Sequence, residues 1–408
     1  MRTAVLCAAL TAILLPGSGG AQPLTMTEAD ALVRLTADSP RVRAILAPIE
    51  IARVDELAAT RWPNPLVTID RESVGGATEY IAMVAQPLPI TGRRGLERDA
   101  ASALVGASSS RAEDGMRRLR ADLRLAFAGL MAAQIREREL TAACDRLRTL
   151  ADVLAKREAA GDAAGFDRLR AEREVLDLDT DLAQAATERA QAQAILASFL
   201  ADVTDPSRLV AAGSPAAPTP LPPLEALLER AESSRGELQA LGREVEAARF
   251  AERAAGRRLV PEPEIAAGMK SSSVGSGDIG SVVMISAAIP LFDHARPERA
   301  LAVARAAQAQ ARADAFRVVL RGEIAALRAA VVERRRAAER FRSEAVGTAD
   351  QIERIAQVSY EAGERGILEL LDAYRIGSTA RTRQAALDAA VRQAEIELAF
   401  ASGWELHP

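Results

Sequence analysis

The chain makes nearly the same statement twice, about two hundred residues apart, and any fold has to accommodate both copies. Ala160-Gly161-Asp162-Ala163-Ala164-Gly165-Phe166-Asp167-Arg168-Leu169 aligns without a gap on Ala362-Gly363-Glu364-Arg365-Gly366-Ile367-Leu368-Glu369-Leu370-Leu371. Glycine falls on glycine, and in both copies an acid follows six residues later. Upstream, Asn64-Pro65 is answered by Glu262-Pro263, and Leu88-Pro89 by Ile289-Pro290. Internal duplication is the economical explanation, and two copies are too few for a solenoid, which needs about three to bury a core.

Each repeated phrase sits between two long periodic stretches. From Met116, the positions Leu119, Leu123, Ala126, Leu130, Ala133, Glu137, Leu140, Cys144, Leu147, Ala151 and Leu154 alternate steps of four and three, with Glu137 the one polar intruder. The second copy keeps the rhythm through Leu320, Ile324, Leu327, Val331, Arg334, Ala338, Phe341, Ala345, Thr348, Ile352 and Ile355. This spacing predicts coiled-coil seams. A helix from Arg93 to Ala160 would be on the order of 100 Å long at 1.5 Å per residue. Returning helices are marked by Val175, Leu178, Leu182, Ala185, Ala192, Leu196 and Phe199, and by Ala380, Leu387, Val391, Ala394 and Leu398. Aromatics make up only 3% of a chain that is 49% hydrophobic, so the apolar content is mostly Ala and Leu, as long packed helices require.

The proline pairs Pro63/Pro65 and Pro261/Pro263 end helices and force extended backbone, so strands should follow. Short alternating stretches do follow, with Val67 and Ile69 on one face and Thr68 and Asp70 on the other. The expected organisation is a first repeat over residues 22–210, with strands about 64–72 and 79–87 and long helices about 93–160 and 165–200. A Pro- and Ala-rich linker at 211–223 leads to a second repeat over 224–408, with strands about 263–270 and 281–289 and helices about 295–361 and 367–400. Residues 1–21 read as a secretory signal peptide: Arg2, an apolar run from Ala4 to Leu15, Pro16-Gly17, then the small residues Gly19 and Ala21. Cys7 lies inside that run and does not read as a lipid-attachment site. Cys144 alone would remain, a packed core thiol with no disulfide partner.

Several function classes lose support at this stage. The formal charge of −4 gives no reason to expect nucleic acid. Neither His294 nor His407 has a ligand-spaced partner, and there is no nucleophile-base arrangement or phosphate-cradling loop, so no enzyme, cofactor or metal site is expected. Two-stranded hairpins are not stable alone, and strands of about 9–11 residues suffice to cross an outer membrane. Four strands cannot close a barrel, but three copies pooling theirs give twelve. A periplasmic coiled-coil scaffold or adaptor without a membrane barrel is the alternative, although an adaptor usually carries one helical hairpin and this chain carries two.

In this order and duplication, Trp62-Pro63-Asn64-Pro65, Gln86-Pro87-Leu88-Pro89, Ile289-Pro290-Leu291-Phe292-Asp293 and the paired Gly-x5-acid turns resemble the TolC-like outer-membrane efflux factor family. Among its branches the chain looks closest to the short heavy-metal (CzcC-like) members. The resemblance implies a mainly α fold with a small β part, assembled as a homotrimer in a Gram-negative bacterium. A twelve-stranded barrel would sit in outer-membrane lipid, continued by an α-barrel of coiled-coil hairpins across the periplasm. The channel would dock on a periplasmic adaptor (membrane fusion) protein and an inner-membrane efflux pump, as the passive exit duct of a tripartite (RND-type) system with heavy-metal cations as suggested cargo. Carried over residue by residue, Glu369 and Asp372 match the pore constriction. Asp167, Tyr360 and Arg365 match contacts that hold the entrance closed, and Gly161, Gly363 and Gly366 match the adaptor-docking tip. Each has a plainer reading: glycine ends a helix, acids favour a first helical turn, and Arg365 is simply solvated. Two features depart from the pattern, a very short first hairpin loop and a second strand pair that Ala266, Ala267 and Gly268 make weakly apolar.

Overall fold

A computed structural model describes residues 22–161, 165–213, 220–273 and 278–405. The expected signal peptide, Asp162 in the first tip phrase, part of the linker and His407 lie outside the described residues. The long helices are α3 (Arg93–Ala159), α4 (Gly165–Ala197), α7 (Arg296–Arg340), α8 (Gly347–Glu361) and α9 (Ile367–Ser402). At 67 residues, α3 spans on the order of 100 Å. No described helix is long and apolar enough to cross a membrane.

The first seam is built as its spacing predicts. Leu119, Leu123, Leu130, Leu140, Cys144, Leu147 and Leu154 are all buried. The polar intruder has a purpose, because Glu137 takes an ion pair from Arg189 of α4 at 2.6 Å and ties the two helices. The Cys144 thiol donates to Asp179 at 2.9 Å, and burial pushes its pKa up to about 11, so it stays protonated and inert.

The second seam departs from its expected register halfway along. Leu320, Ile324, Val331 and Ala338 are buried, but Phe341–Val346 then forms a π-helical turn between α7 and α8. Such a turn inserts one residue into the helical count. Beyond it the buried positions are Ala349 and Ala356 instead of Thr348 and Ile355, leaving Ile352 38% and Ile355 52% exposed. Arg334, the other break in the pattern, is exposed and donates to the Ala390 carbonyl at 3.0 Å.

Four strands form one sheet in the order β2 (Leu66–Val74), β3 (Ala77–Pro87), β5 (Pro263–Ser272), β6 (Ile279–Ala287), antiparallel throughout. Gly75 and Gly76 both have positive φ, 59° and 87°, the two-residue turn whose twist suits a hairpin. Outer strands β2 and β6 each have one unpaired edge. The register sorts side chains into two faces: Val67, Ile69, Tyr80, Val84, Met269, Val283 and Ile285 share one, and all are at least half exposed. Asp70, Glu72, Glu79, Glu264 and Lys270 share the other, leaving Arg71 as the one charged strand residue on the apolar face. Of the residues that made the second pair weakly apolar, the register turns Ala266 and Gly268 to the charged face and leaves Ala267 on the apolar one, beside Val84 and Val283. Glycine is required at 268, because a Cβ there would press on the Ala82 carbonyl and lie 2.8 Å from Met83 Cα.

The halves are interlocked at mid-length. Helices α2 (Pro40–Thr60) and α6 (Gly236–Arg257), the latter preceded by the short α5 (Leu224–Ser234), both pack on α3, which also packs on α9. A parallel pairing of β1 (Leu24–Met26) with β4 (Leu209–Ala211) was not legible in sequence, and it takes Ala211 out of the expected linker. Thr27 caps α1 (Glu28–Val33) reciprocally with Asp30. Met26, Ala31, Leu123, Phe127, Leu130, Leu196 and Leu209 then form one core. Glu28 receives Arg124 at 3.0 Å and Arg392 at 2.9 Å, so a single carboxylate joins the N-terminal segment to both repeats.

The shifted seam makes opposite demands on neighbouring residues. Ala349→Leu should overpack the buried position and cost about 1–3 kcal/mol, whereas Thr348→Leu should stay within about 0.5 kcal/mol. Denaturant unfolding of the two variants checks this, and the reverse ranking would restore the unbroken heptad.

Candidate functional site at the helical tip

Two helical hairpins turn at the end remote from the sheet. At the second turn α8 stops in a two-bond cap: Gly363 N–H donates to the Tyr360 carbonyl at 3.0 Å and Glu364 N–H to the Ser359 carbonyl at 2.9 Å. That closure needs a left-handed residue, and Gly363 supplies φ 75°. Gly161 repeats it with φ 84° and a bond to the Glu158 carbonyl. A Cβ at either glycine would meet nothing within 4 Å, so within the chain the backbone conformation alone accounts for both. Gly366 is different: it is extended and caps the start of α9.

Glu369 and Asp372 are both exposed on the first turns of α9, opposite the buried Ile367, Leu370 and Leu371. They differ in electrostatic surroundings. Asp372 is bridged by Arg375 at 2.7 Å, while Glu369 makes no ion pair among the described residues. Arg375 was not singled out in sequence, although its i,i+3 spacing from Asp372 carries the signal.

The three expected closure residues are not joined within one chain. Tyr360 packs on the cluster of Leu147, Leu150, Leu154, Ile367 and Leu370, with the Arg157 guanidinium of α3 5.9 Å from its ring centre. Neither Asp167 nor Arg365 makes an ion pair among the described residues, and Arg365 is exposed. The first hairpin is closed instead by Arg168, which bridges Glu158 at 2.5 Å and Glu172 at 2.6 Å.

Higher on the hairpin lies a charge cluster that sequence reasoning missed. Arg381 of α9 bridges Asp350 at 2.9 Å and Glu353 at 3.0 Å on α8, and Glu139 at 3.4 Å on α3. Arg146 of α3 adds a 3.5 Å pair to Glu353, whose side chain is 16% exposed. Position 377 beside the cluster is glycine, and a Cβ there would collide with the Glu353 carboxylate. Beside it the Tyr374 hydroxyl bonds to Gln357, and burial raises its pKa above the ordinary phenol value, keeping it a donor at neutral pH. The π-turn sets this clasp, since the one-residue shift carries Asp350 and Glu353 round with Ala349 and Ala356 to the α9 side.

Residues 227–404, most of the second repeat, match the family model described as outer membrane efflux protein. No curated protein matches the chain in sequence. Solved structures of similar fold include the outer-membrane channel OprN, 20% identical with a TM-score of 0.78 over 92% of this chain and 89% of that one. CusC, described as forming a transmembrane channel, is 16% identical with a TM-score of 0.77, covering 95% of each chain. The outer membrane protein VceC from Vibrio cholerae is 17% identical, with a TM-score of 0.74 over 92% of this chain and 96% of that one. The chain thus shares the fold of these outer-membrane proteins, mainly helical with a small sheet.

Removing one partner from the clasp leaves half-buried charge behind. Arg381→Gln should weaken the α8–α9 hairpin by about 1–3 kcal/mol, read as roughly tenfold or faster amide exchange in α8. Gly377→Ala should act in the same direction by displacing Glu353. Unchanged exchange in both would show that the cluster holds nothing.

Proposed function

We propose that this chain, which shares the fold of outer-membrane channels and matches the outer membrane efflux protein model over residues 227–404, is the passive exit duct of a tripartite efflux system. The observation that carries this reading is the four-stranded sheet with unpaired edges at β2 and β6 and one exposed apolar face. Open strand edges are not tolerated in lipid, so symmetric copies must supply the missing neighbours, and three chains close a twelve-stranded barrel. Helices at the flanks carry matching stripes. Phe166, Leu169 and Leu176 on α4, and Ile352, Ile355 and Val358 on α8, are exposed in the single chain and become covered when neighbours pack side by side.

In such a trimer the charged sheet face lines the upper lumen and the tip acids encircle the lower entrance. Passage needs no catalysis by this chain; the family and the structural neighbours are channel proteins. A periplasmic adaptor docks at the glycine turns and an inner-membrane pump delivers the cargo. Heavy-metal cations are the cargo to test first, because the lumen face carries four acids per chain against one lysine and the entrance adds two more against Arg375. Arg365, which makes no ion pair among the described residues, is available to tether a neighbouring copy in the closed state.

Outer-membrane fractionation and native mass measurement in mild detergent should find a trimer, and a soluble periplasmic monomer would overturn the reading. In planar bilayers, replacing Glu369 and Asp372 together with Ala should weaken cation preference and block by multivalent cations. Glu369→Ala alone should have the larger effect of the two, since Asp372 is already balanced by Arg375. Arg365→Ala should raise resting conductance with selectivity retained. Wild-type selectivity in the double variant would mean the acids are helix-start residues only.

A further inference from the structure

At the junction between sheet and helices the surface changes character. Trp62, Ile90, Ile289 and Leu291 are 66–72% exposed and Phe292 is 96% exposed, all within a few residues of the strand ends. Around them stand Arg61, Arg257, Arg258, Arg296 and Arg299, every one exposed and without an ion pair among the described residues. Arg94 lies over the Trp62 ring at 5.5 Å. The acids of the same band are mostly committed: Glu262 to Arg93 at 2.9 Å, and Asp293 to the Ala295 amide at 2.8 Å. Glu298, and Glu264 at the start of β5, make no ion pair among the described residues. A chain of formal charge −4 therefore carries a distinctly positive band at one level.

This band is continuous with the apolar sheet face, just beyond Leu66 and Ala287 where the strands end. Aromatic rings with one wet end favour the membrane interface, and basic side chains near a bilayer bind anionic headgroups. Resting on the outer-membrane reading above, we propose that Arg61, Arg257, Arg258, Arg296 and Arg299, with Trp62 and Phe292, form a collar that binds the phosphates of anionic phospholipids in the periplasm-facing leaflet. The aromatics enter the acyl boundary and the guanidinium groups hold the headgroups, which fixes the depth of the channel in the bilayer. Lipid is favoured over a protein occupant because the band joins a surface that, on that reading, faces lipid, and carries exposed arginines with no ion pair among the described residues instead of a shaped groove.

The test uses the full trimer in phosphatidylcholine vesicles with and without phosphatidylglycerol, followed by native mass spectrometry of the lipids retained on extraction. Wild type should retain phosphatidylglycerol over phosphatidylcholine by roughly tenfold or more, and added salt should erode the preference. Changing the five arginines together to Gln should abolish it while the trimer persists in detergent. Equal retention of both lipids by wild type, or an unchanged preference in the variant, overturns the collar. Loss of the trimer in the variant with no lipid preference in wild type would assign the band to contacts between copies. Failure to enter either vesicle would overturn the channel reading itself, and the collar with it.

Discussion

The unpaired backbone edges of β2 and β6 are the constraint on which the rest depends. In hydrocarbon each free N–H or C=O costs several kcal/mol, so a four-stranded sheet with one apolar face has no stable existence there by itself. Its edges require neighbours of the same kind, and symmetry then dictates what the helices can do. If the strands close into a ring, α3 and α7, which follow β3 and β6, are held side by side, and α4, α8 and α9 pack along them. In the proposed trimer, exposed apolar residues on flanking helices would become seams between copies. The heptad pattern of the second repeat would then serve two kinds of contact, buried Leu, Ile, Val and Ala within a chain and exposed Ile352 and Ile355 between chains.

Much of this was legible because long helices amplify a periodic signal. Leu119 through Leu154 repeat often enough to fix a register, and two proline pairs with Gly75-Gly76 mark the hairpins. The failures are local and physical. Nothing in Phe341–Val346 announces a π-turn: no proline breaks it, and Ile352 and Ile355 continue the heptad as good core residues. The register is decided across the interface, where Asp350 and Glu353 find Arg381 and Gly377 gives them room. A sequence scan sees those residues on separate helices with no mark of which acid meets which base. The β1–β4 pairing escaped notice for a different reason, as three residues are too few for alternation to show. At the tip the acids and glycines could be named, but the balancing Arg375 was hidden among ordinary surface charge.

Stability along the second hairpin is uneven. Around Gly377 the helices are held by ion pairs whose groups are mostly shielded, with the glycine leaving room for the Glu353 carboxylate. Below it, from Tyr360 to Asp372, the chain is fixed by a two-bond cap and a modest apolar cluster, and its charges face solvent. Exposed charges contribute little to holding a conformation, at most about 1 kcal/mol each. The segment below the clasp is therefore the part whose position a partner can alter without dismantling the hairpin above. Glu369, Asp372 and Arg365 all lie in that segment, and Gly363, at its turn, offers a surface with no side chain in the way. On the proposed reading, an adaptor docking there would act on these charges directly, with the clasp as the fixed end against which they move.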